Sequence, residues 1–103
     1  MRDIPHFIDG KPFHQTDGDR GDVFDPNTGE VQARVGLAGP AIVDEAVTAA
    51  LAAQPAWAAQ NPQRRARVLF EFKRLVEARM DELARLLSSE HGKVVADSRG
   101  DIQ

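Results

Sequence analysis

The 103-residue sequence contains no cysteine. That excludes disulfides, thiolate metal sites and a cysteine nucleophile within these residues. Long apolar runs are also missing. The opening stretch MRDIPHFIDG has too little continuous apolar character for a signal peptide, and no segment could span a bilayer. A cytoplasmic location is therefore expected. Positive charge is not in excess: the formal net charge is −3, which argues against a general binder of polyanions. None of the three histidines, His6, His14 and His91, lies three or four residues from another, so zinc-ligand spacing is absent. There is no G-x-G-x-x-G, no matched acid/base pair and no Ser-His-Asp order with supporting motifs. What remains is ordinary for a folded protein, 42% hydrophobic and 28% charged, enough for one small domain and too apolar for overall disorder.

The strongest pattern runs from Asn61 to Lys93. Leu69, Phe72, Val76, Met80, Leu83 and Leu87 recur at steps of three or four, and Val68, Leu75 and Leu86 widen the stripe. Charges four apart can meet on the other faces: Arg67 with Glu71, Lys73 with Glu77, Asp81 with Arg85. Asn61 and Pro62 suit an N-cap and first helical position. Gly92 suits a left-handed stop. The run is long for one helix, so a break is expected near Arg79 to Asp81, with Asp81 as a second N-cap. The stripe needs an apolar partner surface, and the remaining residues are short of material to supply it.

Upstream, the pattern is one of short strands. Residues 3–14 read as a hairpin, with Asp9-Gly10 as its turn and Pro5 and Pro12 keeping the strands short. Residues 15–22 are polar with two glycines and read as a loop. Val23 and Phe24 begin another strand, Asp25-Pro26-Asn27-Thr28-Gly29 is a turn, and Glu30 to Val35 returns with Val31, Ala33 and Val35 on one face. Gly36 to Gly39 connects to a helix opened by Pro40, whose inward stripe is expected at Val43, Ala46, Val47 and Ala50. Pro55 should end or kink that helix, leaving Trp57 to pack just past it. Val94 to Gln103 reads as the start of a further element. Strands first and helices after make an α+β pattern: a β-hairpin segment over 1–38 and a helical segment over 39–103.

Several groups invite a chemical role, and each has a plainer one. Glu90-His91-Gly92-Lys93 contains a Gly-Lys pair but lacks the earlier glycine and following hydroxyl of a phosphate loop, so Gly92 is read as a helix stop. Arg64, Arg65 and Arg67 cluster near a helix start, but Glu71, Glu77 and Glu82 follow on the same run. They read as a solvated or salt-bridging face, and no nucleic-acid partner is expected. Arg20-Gly21-Asp22 and Arg99-Gly100-Asp101 spell a cell-adhesion tripeptide and read as charged turns. Asp9 and Asp25 are read as carboxylates bonding turn backbone. No catalytic, cofactor-binding or metal residue can be assigned.

Phe7-Ile8-Asp9-Gly10-Lys11 and Asp25-Pro26-Asn27-Thr28-Gly29-Glu30-Val31 resemble the opening strands of the aldehyde dehydrogenase superfamily. Asp44-Glu45-Ala46-Val47 with Ala49-Ala50 and Trp57 resembles its first helix. Arg65, Leu69, Leu83-Ala84 and Glu90-His91-Gly92-Lys93 resemble the helices that follow. Residues 64–72 and 96–102 look most like the methylmalonate-semialdehyde dehydrogenase branch, which acylates coenzyme A.

The resemblance implies an NAD-dependent oxidoreductase in which a cysteine thiolate attacks a semialdehyde and hydride passes to NAD. The thioester is then transferred to coenzyme A with loss of carbon dioxide. In the family, the nucleophilic cysteine, the catalytic glutamate and asparagine, and the NAD-binding loop lie beyond position 103. So does an arginine that grips the substrate carboxylate. These 103 residues are therefore expected to be an inactive N-terminal portion that binds neither cofactor alone. Residues 39–103 would be outer helices of an incomplete NAD-binding domain, and the partners would be the remainder of the chain and further copies in a homo-oligomer. A stand-alone helical interaction module is the alternative. Alone, the apolar side of residues 66–87 is expected to drive self-association.

Overall fold

The computed structural model describes residues 1–103. Five short strands precede four helices. The strands end at Gly36 and the helices begin at Pro40, as the α+β pattern requires. The chain forms two compact units, one of residues 1–23 and 31–59, the other of residues 24–30 and 60–103. Compactness therefore groups the first helix with the strands.

In the first unit, β2 (His6–Ile8) and β3 (Lys11–Phe13) pair antiparallel, with His6 opposite Phe13 and Ile8 opposite Lys11. Asp9 and Gly10 both have positive φ, 55° and 74°, the backbone of the tight turn that matches strand twist. β1 (Arg2–Ile4), β5 (Val31–Gly36) and β4 (Arg20–Phe24) form a second sheet in the order β1-β5-β4. β1 runs parallel to β5, Arg2 beside Ala33 and Ile4 beside Val35. The sequence pattern puts Asp3 and Ile4 within the hairpin of residues 3–14, because a parallel pairing with a distant strand leaves no local signal. β4 also starts earlier than expected. Arg20-Gly21-Asp22 is strand rather than loop, its charges standing on an edge strand that water can reach. In β5 the expected face holds: Ala33 is fully buried, Val31 and Val35 are partly shielded and Arg34 is exposed.

Helix α1 (Pro40–Ala59) continues past Pro55, so the helix does not end there. Proline deletes one backbone donor. Every residue from Leu51 to Gln60 is exposed, so water can satisfy the freed carbonyl, and the alanine-rich flanks favour helix. Trp57 accordingly lies within the helix and is exposed. The shielded side is Ile42, Ala46 and Ala49, while Val43 and Val47 face solvent. A helix apolar on most of its faces gives periodicity no means of choosing the buried one.

In the second unit, α2 (Pro62–Ala78) starts as read: the Arg64 N–H donates to Asn61 Oδ1 at 2.9 Å, and Pro62 takes the first turn. The run breaks at Arg79, which closes α2 and opens α3 (Met80–His91) with φ −112° and ψ 21°. Arg79, not Asp81, occupies the cap position, without a side-chain cap bond. Asp81 and Glu82 sit in the first turn of α3, the favourable end of the helix dipole for carboxylates, and His91 lies in its last turn. Gly92 stops α3 with φ 86°, its N–H donating to Ser88 O at 2.8 Å. α4 (Val95–Ile102) packs back on α3 through small residues: Ala84 and Ser98 are fully buried, and Ser88 Oγ and Ser98 Oγ are 2.7 Å apart.

Candidate functional site

The best-connected polar residue is Gln15, which is only 6% exposed. Its amide nitrogen donates to the carbonyls of Asp19 and Leu37 at 3.2 and 3.3 Å. Its Oε1 must then accept, so His6 Nε2, 2.9 Å away, carries the proton. Arg20 donates to the Gln15 carbonyl and to Asp3 Oδ1. The Gln15 amide lies across Gly36, where an added Cβ would fall 2.7 Å from Oε1. Only glycine lets the two approach. This hub ties the 15–20 segment to both sheets of the first unit. It was missed in the sequence because Gln15 opens a run that reads as polar loop. Gln15 also lines a cleft of about 450 Å³ with Asp17, Asp19 and the start of α1.

The residues singled out from the sequence do not converge. His6 sits at the hub, His14 lies 3.7 Å from Asp3, and His91 is in the last turn of α3. No cluster of three potential metal ligands exists. Asp9 is a hairpin turn residue, and Asp25 Oδ1 accepts from the Asn27 N–H at 2.8 Å, the turn role expected. The two adhesion-like tripeptides are not turns. Arg20-Gly21-Asp22 lies in β4, with Arg20 on Asp3 and Asp22 on Arg34. Arg99-Gly100-Asp101 lies in α4, with Arg99 on Asp81 and Asp101 on Lys93. Both are occupied by internal ion pairs.

The Glu90-to-Lys93 stretch is a structural seat. An added Cβ on Gly92 would fall 2.9 Å from Pro26 Cγ, so the helix stop rests directly on the Asp25–Gly29 turn. That turn is held by Asp25 O, which accepts from the Thr28 and Gly29 amides. Two segments that carry the family resemblance thus meet and pack in the second unit.

Around α2 and α3 the expected ion pairs form only in part. Lys73 reaches Glu77 at 3.5 Å. Glu71 pairs with Arg74 instead of Arg67, and Asp81 with Arg99 instead of Arg85. Bidentate hydrogen bonds from Arg74 hold the Glu71 carboxyl below the usual carboxylate range and raise Arg74. Arg79 lowers Glu82 in the same way. Of the basic cluster, Arg64 caps through its backbone, and Arg65 Nε is shielded from solvent without a hydrogen-bond acceptor in the chain. Val68, Leu69, Phe72 and Leu75 form a bare apolar face, Leu69 and Phe72 being 61% and 65% exposed.

The start of α1 is the candidate anion cradle, yet the cleft beside it is lined by Asp17 and Asp19, and two carboxylates oppose a pyrophosphate. The contacts these residues make are those of packing and helix capping.

The aldehyde dehydrogenase family profile matches residues 13–103. The chain belongs to the aldehyde dehydrogenase family. It is 39% identical over 103 residues to the malonate-semialdehyde dehydrogenase of Pseudomonas aeruginosa, covering 100% of this chain and 20% of that protein. It is 41% identical over 93 residues to a betaine aldehyde dehydrogenase of Rhizobium etli, covering 90% of this chain and 19% of the relative. Among solved structures, it superposes with a TM-score of 0.95 and 52% identity on a Sinorhizobium meliloti protein described as a methylmalonate-semialdehyde dehydrogenase complexed with NAD. That match covers 98% of this chain and 21% of the other. The chain therefore spans about a fifth of the length of these family members. The α+β order of short strands and helices is the one seen in the matching fifth of that fold.

Proposed function

We propose that these residues are the N-terminal structural portion of an NAD-dependent, coenzyme A-acylating malonate- or methylmalonate-semialdehyde dehydrogenase. The reacting groups and both cofactor sites lie outside the sequence. One observation carries the reading: a relative and a solved structure associated with these semialdehydes align with essentially the whole chain while this chain covers a fifth of each. Two further features support it. The chain has no cysteine to act as the nucleophile. The apolar face of α2 is too exposed for a surface that evolved to meet water. In this reading α1 and α2 are outer helices of an NAD-binding domain, the remainder of the polypeptide covers them, the assembled enzyme is a cytoplasmic homo-oligomer, and residues 1–103 alone are inactive.

The test is to isolate the native gene product from source cells, measure its intact mass, and assay NAD reduction with malonate and methylmalonate semialdehydes, with and without coenzyme A. A product several times longer than these residues, forming an acyl-coenzyme A thioester, is expected. A free acid as the product would remove the acylating branch and keep the family. A native product of 103 residues without activity would overturn the reading in favour of a stand-alone interaction module.

A further inference from the structure

We draw no further inference here: the strongest candidate, the exposed apolar face of α2 formed by Val68, Leu69, Phe72 and Leu75, carries none because nothing in the structure shows what covers it.

Discussion

Helices α2 and α3 are cut from one periodic run, and they differ in what lies over them. In α3, Ala84 is fully buried and Ser88 bonds Ser98 of α4. In α2 no residue is fully buried, and Phe72 and Leu69 stand mostly in solvent. α2 carries the larger apolar side chains and α3 the better packing. Periodicity therefore marks the side of a helix that wants a neighbour without guaranteeing that the neighbour is present. α3 is served because small residues let α4 approach closely and the Gly92 stop turns the chain back over it.

The contrast is tested most sharply at Phe72. In the 103-residue chain, Phe72→Ala should change stability by less than about 0.5 kcal/mol, as for other exposed sites. In the longer dehydrogenase proposed above it should cost about 3–5 kcal/mol. Denaturant unfolding of both proteins reads the difference, and equal effects would remove the contrast. Sedimentation velocity should also show the chain associating less once this ring is gone. On the packed side, Ala84→Leu should cost about 1–3 kcal/mol by overpacking the α3–α4 contact; a neutral result would mean that contact is loose.

Gly92→Ala should cost about 1–2 kcal/mol for the left-handed backbone, and more if Pro26 cannot give way. Gly100→Ala, with open space around its position inside α4, should stabilise by about 0.5–1 kcal/mol. The opposite signs distinguish a seat from mere helix propensity. Asn61→Ala should cost about 1 kcal/mol by uncapping α2; thermal unfolding compared with Asn61→Asp, which keeps the acceptor, checks it.

The smallest effect is electrostatic. Glu71 and Glu82 are held below the usual carboxylate range in the folded chain. Their contribution to stability is therefore present above the unfolded carboxylate pKa and is lost as pH falls through the lowered folded values. Both groups are solvent-exposed, so the effect should be slight and should shrink in high salt. Carboxyl NMR titration should show Glu71 returning towards its ordinary range in Arg74→Ala while Glu82 does not move.

Most local structure is legible in the sequence, because its causes are local. The Asp9-Gly10 turn, the Asn61 cap, the break at Arg79 and the Gly92 stop each depend on a few adjacent residues. What escaped depends on distant ones. The β1–β5 pairing joins opposite ends of the strand region. The Gln15 hub needs His6, Asp19 and Leu37 brought together. The continuation of α1 through Pro55 depends on solvent around it. The plain roles read for the glycine–lysine pair and for Asp25 held, and the tripeptides proved to be strand and helix rather than turn. The family was legible from an ordered set of weak motifs, several of which are now seen as packing features, such as Gly92 on Pro26.

That seat has a consequence for folding order. Residues 24–30 belong with residues 60–103 although residues 31–59 intervene, so the helical unit is not a continuous length of chain. During synthesis the turn around Pro26 emerges early and must await Gly92, a long loop whose closure costs entropy before any contact repays it. The helical unit therefore cannot form until Gly92 has been made, and residues 60–103 excised alone would lack the surface on which α3 ends.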